Sequence, residues 1–251
     1  MDSPKFAKVP SIGKLTALRR DFHRKIRAEG FLGALNHAVA RLIYIVRQRV
    51  GKSVTVPDPF DSQFGTDTAT IVSVGALDIP NEKVLHANRY EAVSQEVFTE
   101  AMLTLPATNE YTFVDIGSGK GKALLLASHY PFREIVGIEL SAQLTAIALE
   151  NIAKYRNTSQ KCSVIRVECR DALTCDLPLS NCILYLYNPF DGAIMQQFVS
   201  VVEESLADHP RSIRVVYQWP LHRIHWDRSP YLRLSAETKT WVVYESTSSS
   251  N

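Results

Sequence analysis

The chain has 251 residues, of which 45% are hydrophobic and 22% charged, the balance of an ordinary globular protein and not of a low-complexity or fibrous one. No run of about 18 apolar residues is present, so no transmembrane helix is expected, and the amino terminus, with Asp2, Pro4 and alternating basic and apolar residues, lacks the continuous apolar core of a secretion signal. Net charge is +2 but unevenly spread: residues 1–52 hold twelve Lys/Arg against Asp2, Asp21 and Glu29, a net +9, which leaves −7 for the rest of the chain.

A basic arm joined to an acidic body implies either an anionic partner or docking of arm on body. Within this arm (residues 1–50), residues 15–29 are helical in character and basic, Gly30 and Gly33 interrupt, and residues 34–49 read as a second helix. Leu35, Val39, Leu42, Ile43 and Val46 recur there at helical spacing on one face. Such a helix either makes a peripheral contact with an anionic membrane surface or covers its own domain as a lid, the commoner outcome. Cys162, Cys169, Cys175 and Cys182 form no Cys-x-x-Cys pair and have no histidine at zinc spacing, so they are expected to be small buried residues and no metal is expected. A cytoplasmic location is the expectation consistent with this.

Residues 51–89 are expected to form a segment that covers substrate or cofactor, loop-rich at its start with Gly51, Pro57, Pro59 and Gly65. Phe60, Asp61, Phe64 and Asp67 crowd one stretch. They are candidates to enclose a ligand, as loops ahead of a core often do; plain turn chemistry capped by Asp and Thr is the equal alternative. Tyr90–Leu105 reads as a helix with Val93, Val97, Ala101 and Leu105 on one face, closed by Pro106. Strands are predicted at about 111–116, 134–140, 162–169 and 182–188, with helices at about 119–129, 141–155 and 192–207. This alternation implies a parallel sheet with helices on both faces. Ser212–Gln218 is a fifth strand, Trp219-Pro220 ends it, Tyr231–Ser235 and Thr240–Glu245 form a hairpin, and residues 247–251 are a polar tail expected to be disordered.

The organising stretch is 113–122, Phe-Val-Asp-Ile-Gly-Ser-Gly-Lys-Gly-Lys. A strand that turns into a helix through Gly117, Gly119 and Gly121 lets a ligand approach the backbone with no Cβ in the way. The helix start also offers unpaired N–H groups. The dinucleotide fingerprint Gly-x-Gly-x-x-Gly would place its last glycine at Lys122. With Asp115 two residues before the first glycine, the stretch instead resembles the first motif of class I S-adenosylmethionine (SAM) methyltransferases.

Three later landmarks fit that family in order: Val-Gly-Ile-Glu-Leu at 136–140, Arg-Asp-Ala at 170–172 and Leu-Tyr-Asn-Pro-Phe at 186–190. The resemblance implies a Rossmann-like doubly wound sheet of seven strands, the last inserted antiparallel, with residues 90–246 as the SAM-binding domain. It implies that Asp115, Gly117, Ser118, Gly119 and Gly121 wrap the methionine and ribose of SAM. Glu139, followed by Leu140, would hold the ribose hydroxyls, and Asp171 and the Ala172 N–H would contact adenine. Ligands in such sheets bind beyond the carboxyl ends of the strands, which is where Asp115, Glu139, Asp171 and Asn188 all fall.

Asn188-Pro189-Phe190 is similar to a shortened (Asp/Asn)-Pro-Pro-(Tyr/Phe) motif of amino-group methyltransferases, the second Pro being absent. The resemblance makes Asn188, Pro189 and Phe190 the catalytic candidates, the Asn oxygen and a Pro carbonyl accepting hydrogen bonds from the target amine. The layout also resembles seven-strand, non-SET protein lysine methyltransferases, in which a segment like Arg89-Tyr90-Glu91 adjoins SAM; Tyr90 is therefore a cofactor candidate, a buried anchoring Tyr being the alternative. Tyr217, Trp219 and His222 follow or end the fifth strand and are candidates for the acceptor pocket, as are His225 and Trp226; packing beneath the hairpin is the alternative. The expected activity is methyl transfer to an amine, with protein lysine as the specific acceptor and a small molecule, N- or O-methylated, as the competitor. A nucleic-acid acceptor is disfavoured because the body is acidic and the arm has few aromatics.

Overall fold

A computed structural model of the chain describes residues 53–105 and 108–247. The basic arm, Pro106 and residues 248–251 lie outside the described residues. Seven strands form one sheet in the order β3-β2-β1-β4-β5-β7-β6. They are β1 (Thr112–Ile116), β2 (Glu134–Glu139), β3 (Ile165–Cys169), β4 (Cys182–Tyr187), β5 (Ile213–Gln218), β6 (Leu232–Glu237) and β7 (Trp241–Ser246). The first five are mutually parallel. β7 inserts antiparallel between β5 and β6. This is the Rossmann-like seven-strand sheet with an antiparallel carboxy-terminal hairpin that the sequence implies.

The helices are α1 (Pro59–Phe64), α2 (Gln95–Met102), α3 (Lys122–Ala127), α4 (Ala142–Lys154), α5 (Gly192–Asp208) and the short α6 (Ile224–Asp227). The central strands are continuous apolar runs because both of their faces are covered. Successive residues of a strand point to opposite faces. Val114, Ile116, Leu184, Leu186, Val215 and Tyr217 therefore pack with Phe198 and Val202 of α5 on one side. Phe113, Ile183, Tyr185 and Val216 pack with Phe98 of α2 and Leu124 and Leu125 of α3 on the other.

Several boundaries differ from the sequence expectation, each for a local reason. The helix expected from Tyr90 starts only at Gln95. Tyr90 is extended instead, its N–H and C=O both bonded to Val72 at 2.9 and 3.1 Å, and Ser94 takes the cap. The helix expected from residue 119 starts at Lys122 because Gly119 and Gly121 are left-handed, with φ of 53° and 84°. The third strand begins at Ile165, not 162. Ser246 belongs to β7, where its hydroxyl accepts from the Ile213 N–H and donates to the Arg211 carbonyl.

In the amino-terminal segment, turn chemistry accounts for Asp61. Asp58 caps α1, Pro59 opens it and left-handed Gly65 closes it. The Asp61 carboxylate then gathers the hydroxyls of Thr66 and Thr68 and the N–H groups of Thr68 and Ala69, all within 2.7–2.9 Å. Phe60 and Phe64 pack on Tyr155, with centroids 5.6 and 4.6 Å away. Replacing Asp61 by Ala should strip four donors of their acceptor and cost about 2–3 kcal/mol. In a chain of this size that lowers Tm by about 5–10 °C, to be read by calorimetry; a change under 2 °C would show that solvent satisfies the same donors.

Candidate functional site

A cleft runs along the carboxyl ends of β1, β2 and β4 and the loop after β3. Its wall includes Asp115, Gly117, Ser118, Gly119, Glu139, Leu140, Asp171, Ala172, Asn188, Pro189, Phe190 and Tyr90. Residues more than 90 positions apart in sequence thus converge, as the strand-end rule requires. Gly121 is the exception among the expected cofactor residues. It is absent from the wall and turns the loop into α3, its Cα side facing Ala148 of α4, where a Cβ would come within 3.2 Å.

The other two glycines are needed for close approach. A Cβ on Gly117 would lie 2.6 Å from Pro189 Cβ, and one on Gly119 would lie 2.1 Å from the Tyr90 ring. The glycine loop is therefore pressed between the Asn-Pro-Phe turn and Tyr90. Beneath it, Glu139 is 8% exposed. Its two oxygens accept from the N–H groups of Gly119 and Ser141, each at 2.8 Å. Burial raises the Glu139 carboxyl, and those backbone bonds pull only partly the other way.

Asp115 differs. It is 3% exposed, lies on the cleft wall and has no hydrogen-bond donor among the described residues. Burial, and then the neighbouring Glu139, push its carboxyl well above the ordinary value. Asp171 is already engaged: Lys83 Nζ lies 2.7 Å from one oxygen and the Leu173 N–H bonds the other at 3.0 Å. Burial acts to raise its carboxyl, but these partners outweigh it and the net direction is down.

Asn188 has φ of 42°, a conformation uncommon for a residue with a side chain. It is held from two sides. Its Oδ1 accepts from the Tyr217 hydroxyl at 3.2 Å, and its carbonyl accepts from Asn88 Nδ2 at 2.7 Å. Asn88 also bonds the Pro189 carbonyl through its own N–H at 3.3 Å. Tyr217 is fully buried behind Asn188; burial pushes its hydroxyl up to about 12. The His222 N–H donates to that hydroxyl at 3.3 Å, and the His222 ring sits against Gly192, where burial lowers its basicity. Trp219, with φ of 49°, is 47% exposed, and its side chain lies near the hydroxyl of Tyr187, which is on the wall. Tyr217, Trp219 and His222 themselves are not wall residues. Trp226 is fully buried in the core beside Phe198 and Tyr244.

A strap of residues 77–91 overlaps the segment expected to cover substrate or cofactor, but of its residues only Tyr90 is named as a site residue by the sequence. Leu77, Ile79, Lys83 and His86 through Glu91 line the cleft, although the stretch is turns and bends with no periodicity. It is pinned along its length. Asp78 bonds Ser141 Oγ and the Gln143 N–H at the start of α4. His86 Nδ1 pairs with Asp191 at 2.8 Å, and Ala87 bridges to Phe190. Among the described residues there is no group of His, Cys, Asp or Glu suited to a metal ion, and no helix is long and apolar enough to cross a membrane.

No protein-family model and no curated protein matches the chain. Solved structures are similar at low identity. An RNA methyltransferase from Salinibacter ruber, in complex with S-adenosyl-L-homocysteine, matches over 63% of this chain and 94% of that one, at 16% identity and a TM-score of 0.45. A predicted N6-adenine-specific DNA methylase from Listeria monocytogenes matches over 62% and 51%, at 12% identity and a TM-score of 0.47. A ribosomal protein L11 methylase from Lactobacillus delbrueckii matches over 61% and 76%, at 12% identity and a TM-score of 0.41. Likenesses this distant concern sheet architecture, and the chemistry of the cleft rests on its own residues.

The bare Asp115 carboxylate should destabilise the ligand-free protein. Its folded form holds a proton more tightly than its unfolded form, so stability falls as pH rises above the unfolded value near about 3.9. Asp115→Asn keeps the shape and removes the titration. The variant should melt about 2–4 °C higher at pH 7, a gain of about 1 kcal/mol, with the advantage shrinking towards pH 3. A variant that melts lower than wild type at pH 7 would show that Asp115 is stabilised as an anion.

Proposed function

We propose that this chain is a SAM-dependent class I methyltransferase that methylates an amine, with a protein lysine as the acceptor to test first. The observation that carries the proposal is Asp115: a carboxylate 3% exposed, on the wall of a glycine-loop cleft, with no donor of its own. A buried carboxylate in that state calls for a cationic partner. The methionine ammonium and the sulfonium of SAM are cations, so the residues present fit that cofactor. Gly117, Ser118 and Gly119 would follow its methionine and ribose, Glu139 the ribose hydroxyls, and Asp171 with the Ala172 N–H the adenine. The strap, most of which lies in the 51–89 segment, would cover it, and Tyr90 would close the glycine loop from the side.

When bound, the cofactor supplies a methyl group already activated on sulfur. The protein then has to align the acceptor and exclude water. Asn188 would take a hydrogen bond from the acceptor amine on the Oδ1 lone pair that Tyr217 leaves free, and the Pro189 carbonyl would take a second. Tyr217 and His222 would back Asn188 from behind. Trp219, through Tyr187, would border the acceptor's entrance.

One observation favours a second reading, an oxygen acceptor on a small molecule: Asn188 Nδ2 has no hydrogen-bond partner among the described residues, and a donor suits an oxygen. Supplying methyl-labelled SAM to the protein with lysate proteins, extracted metabolites and nucleic acids in separate reactions distinguishes the acceptors. Label in protein, at lysine, supports the first reading; label only in metabolites replaces it with the second, and label only in nucleic acid rejects both.

Two variants test the site itself. Gly119→Val places a branched side chain in a left-handed backbone and into the Tyr90 ring, so binding of S-adenosylhomocysteine should be lost in calorimetry. Asn188→Ala should cut turnover about 100-fold through lost alignment while affinity for S-adenosylhomocysteine changes little. Equal losses in both would make Asn188 a cofactor or structural residue.

A further inference from the structure

We infer that Asp67 and Lys120 form a clamp that sets the shape of the glycine loop, which makes Asp67 a positioning residue for the ligand although it is not on the cleft wall. The inference rests on the reading of that loop as the cofactor site. Lys120 stands between Gly119 and Gly121, both left-handed. Glycine adopts such φ values without steric preference, so the two hinges do not define the loop by themselves. Glu139 fixes one point from beneath, the Gly119 N–H, and a second hold comes from outside.

The outer hold is the Lys120 side chain. It is 2% exposed, and its ammonium donates to both oxygens of Asp67 at 2.8 Å. Asp67 comes from the segment after α1, 53 positions earlier in the chain. The backbones of the two residues are tied as well. Asn151 of α4, 1% exposed, donates through Nδ2 to the carbonyls of Lys120 and Asp67 at 2.9 and 3.0 Å. Its Oδ1 accepts from the Asp67 N–H at 2.8 Å. All three hydrogen bonds of that buried amide serve this one junction.

The clamp reaches the cleft through Tyr90. Its hydroxyl donates to the carbonyl of Thr68, next to Asp67, at 2.6 Å. Its ring lies with the Lys120 ammonium 5.8 Å from the centroid, and it fills the space a Gly119 Cβ would need. A cation–aromatic contact at this distance is favourable. Tyr90 is thus held on one side by the clamp while its other side forms wall. If the charge on Asp67 is removed, Lys120 becomes a buried cation without a counter-charge, a state the chain relieves by moving the side chain to water. With glycine hinges on either side, that movement takes the loop with it.

The test uses the full chain. In Asp67→Asn the backbone bonds to Asn151 are retained, so folding is expected; Lys120→Met removes the buried charge while keeping an apolar chain under Tyr90. Hydrogen exchange of the peptide spanning residues 113–124, without ligand, should be at least tenfold faster in both variants, with the β4–β5 region unchanged. Affinity for S-adenosylhomocysteine, measured by calorimetry well below each variant's Tm, should fall at least tenfold. A merely structural pair would lower Tm and leave affinity within twofold of wild type, which overturns the inference, as does an unchanged exchange rate in the loop. If the wild-type protein takes up no S-adenosylhomocysteine, the proposed function fails, and the exchange measurement alone decides whether the clamp exists.

Discussion

The Glu139 carboxylate, at the end of β2, ties together the glycine loop and the start of α4. One oxygen holds the Gly119 N–H of the loop after β1, and the other holds the Ser141 N–H at the start of α4. Charge-assisted bonds of this kind are among the stronger ones, and more so where water is excluded. This arrangement puts a second carboxylate beside Asp115 in the same buried space. Two acids there, one satisfied by backbone and one not, give the cleft an electrostatic demand that an anionic or purely apolar ligand does not meet. A ligand carrying positive charge near the glycine loop does meet it, which ties the protein's fold directly to its proposed cofactor.

The elements outside the sheet serve the same cleft. The segment before the strap holds the glycine loop from the rear, through Asp67 on Lys120 and Asp58 on Lys122 at 2.6 Å. Asp58 is subject to burial, which raises its carboxyl, but Lys122 and the cap bonds to Phe60 and Asp61 outweigh that and lower it. The strap then crosses the front, fixed to α4 by Asp78, to Asp171 by Lys83 and to the turn after β4 by His86 and Asn88. An ion pair such as Lys83–Asp171, partly exposed on both sides, is worth little to stability. Its importance is positional, since Asp171 is the group assigned to the ligand's base and Lys83 already occupies one of its oxygens.

How much of this was legible depended on the range of the interaction. The sheet and the strand-end acids were legible because both follow from local pattern plus one topological rule: an apolar run, a turn, a helix, and ligand groups at the carboxyl ends. The contacts of the strap were not. His86 meets Asp191 and Asn88 meets Asn188, partners 105 and 100 positions away, and no periodicity marks either. Tyr90 was placed at the cleft but in the wrong local structure. The helical spacing of Val93, Val97, Ala101 and Leu105 extends past the point where pairing with Val72 forces the chain straight. For Phe60, Asp61 and Phe64 the sequence leaves a ligand cover and plain turn chemistry equal; the structure makes Asp61 the acceptor for four donors and packs Phe60 and Phe64 on Tyr155.

The turn after β4 carries the remaining chemical question, and its hydrogen bonds narrow it. The Tyr217 hydroxyl accepts from the His222 N–H and donates its own proton to Asn188 Oδ1. Asn88 meanwhile takes one lone pair from each of the Asn188 and Pro189 carbonyls. Each of these three acceptors accepts one hydrogen bond and keeps one lone pair. An amine with two N–H groups can engage two such acceptors at once and point its own lone pair between them, whereas a hydroxyl has a single proton to offer and must rely on the amide Nδ2. Asn188, left-handed at φ 42°, and Pro189 both line the cleft. Tyr217 on the side chain and Asn88 on the carbonyl hold that left-handed conformation, one asparagine adopts more readily than most residues.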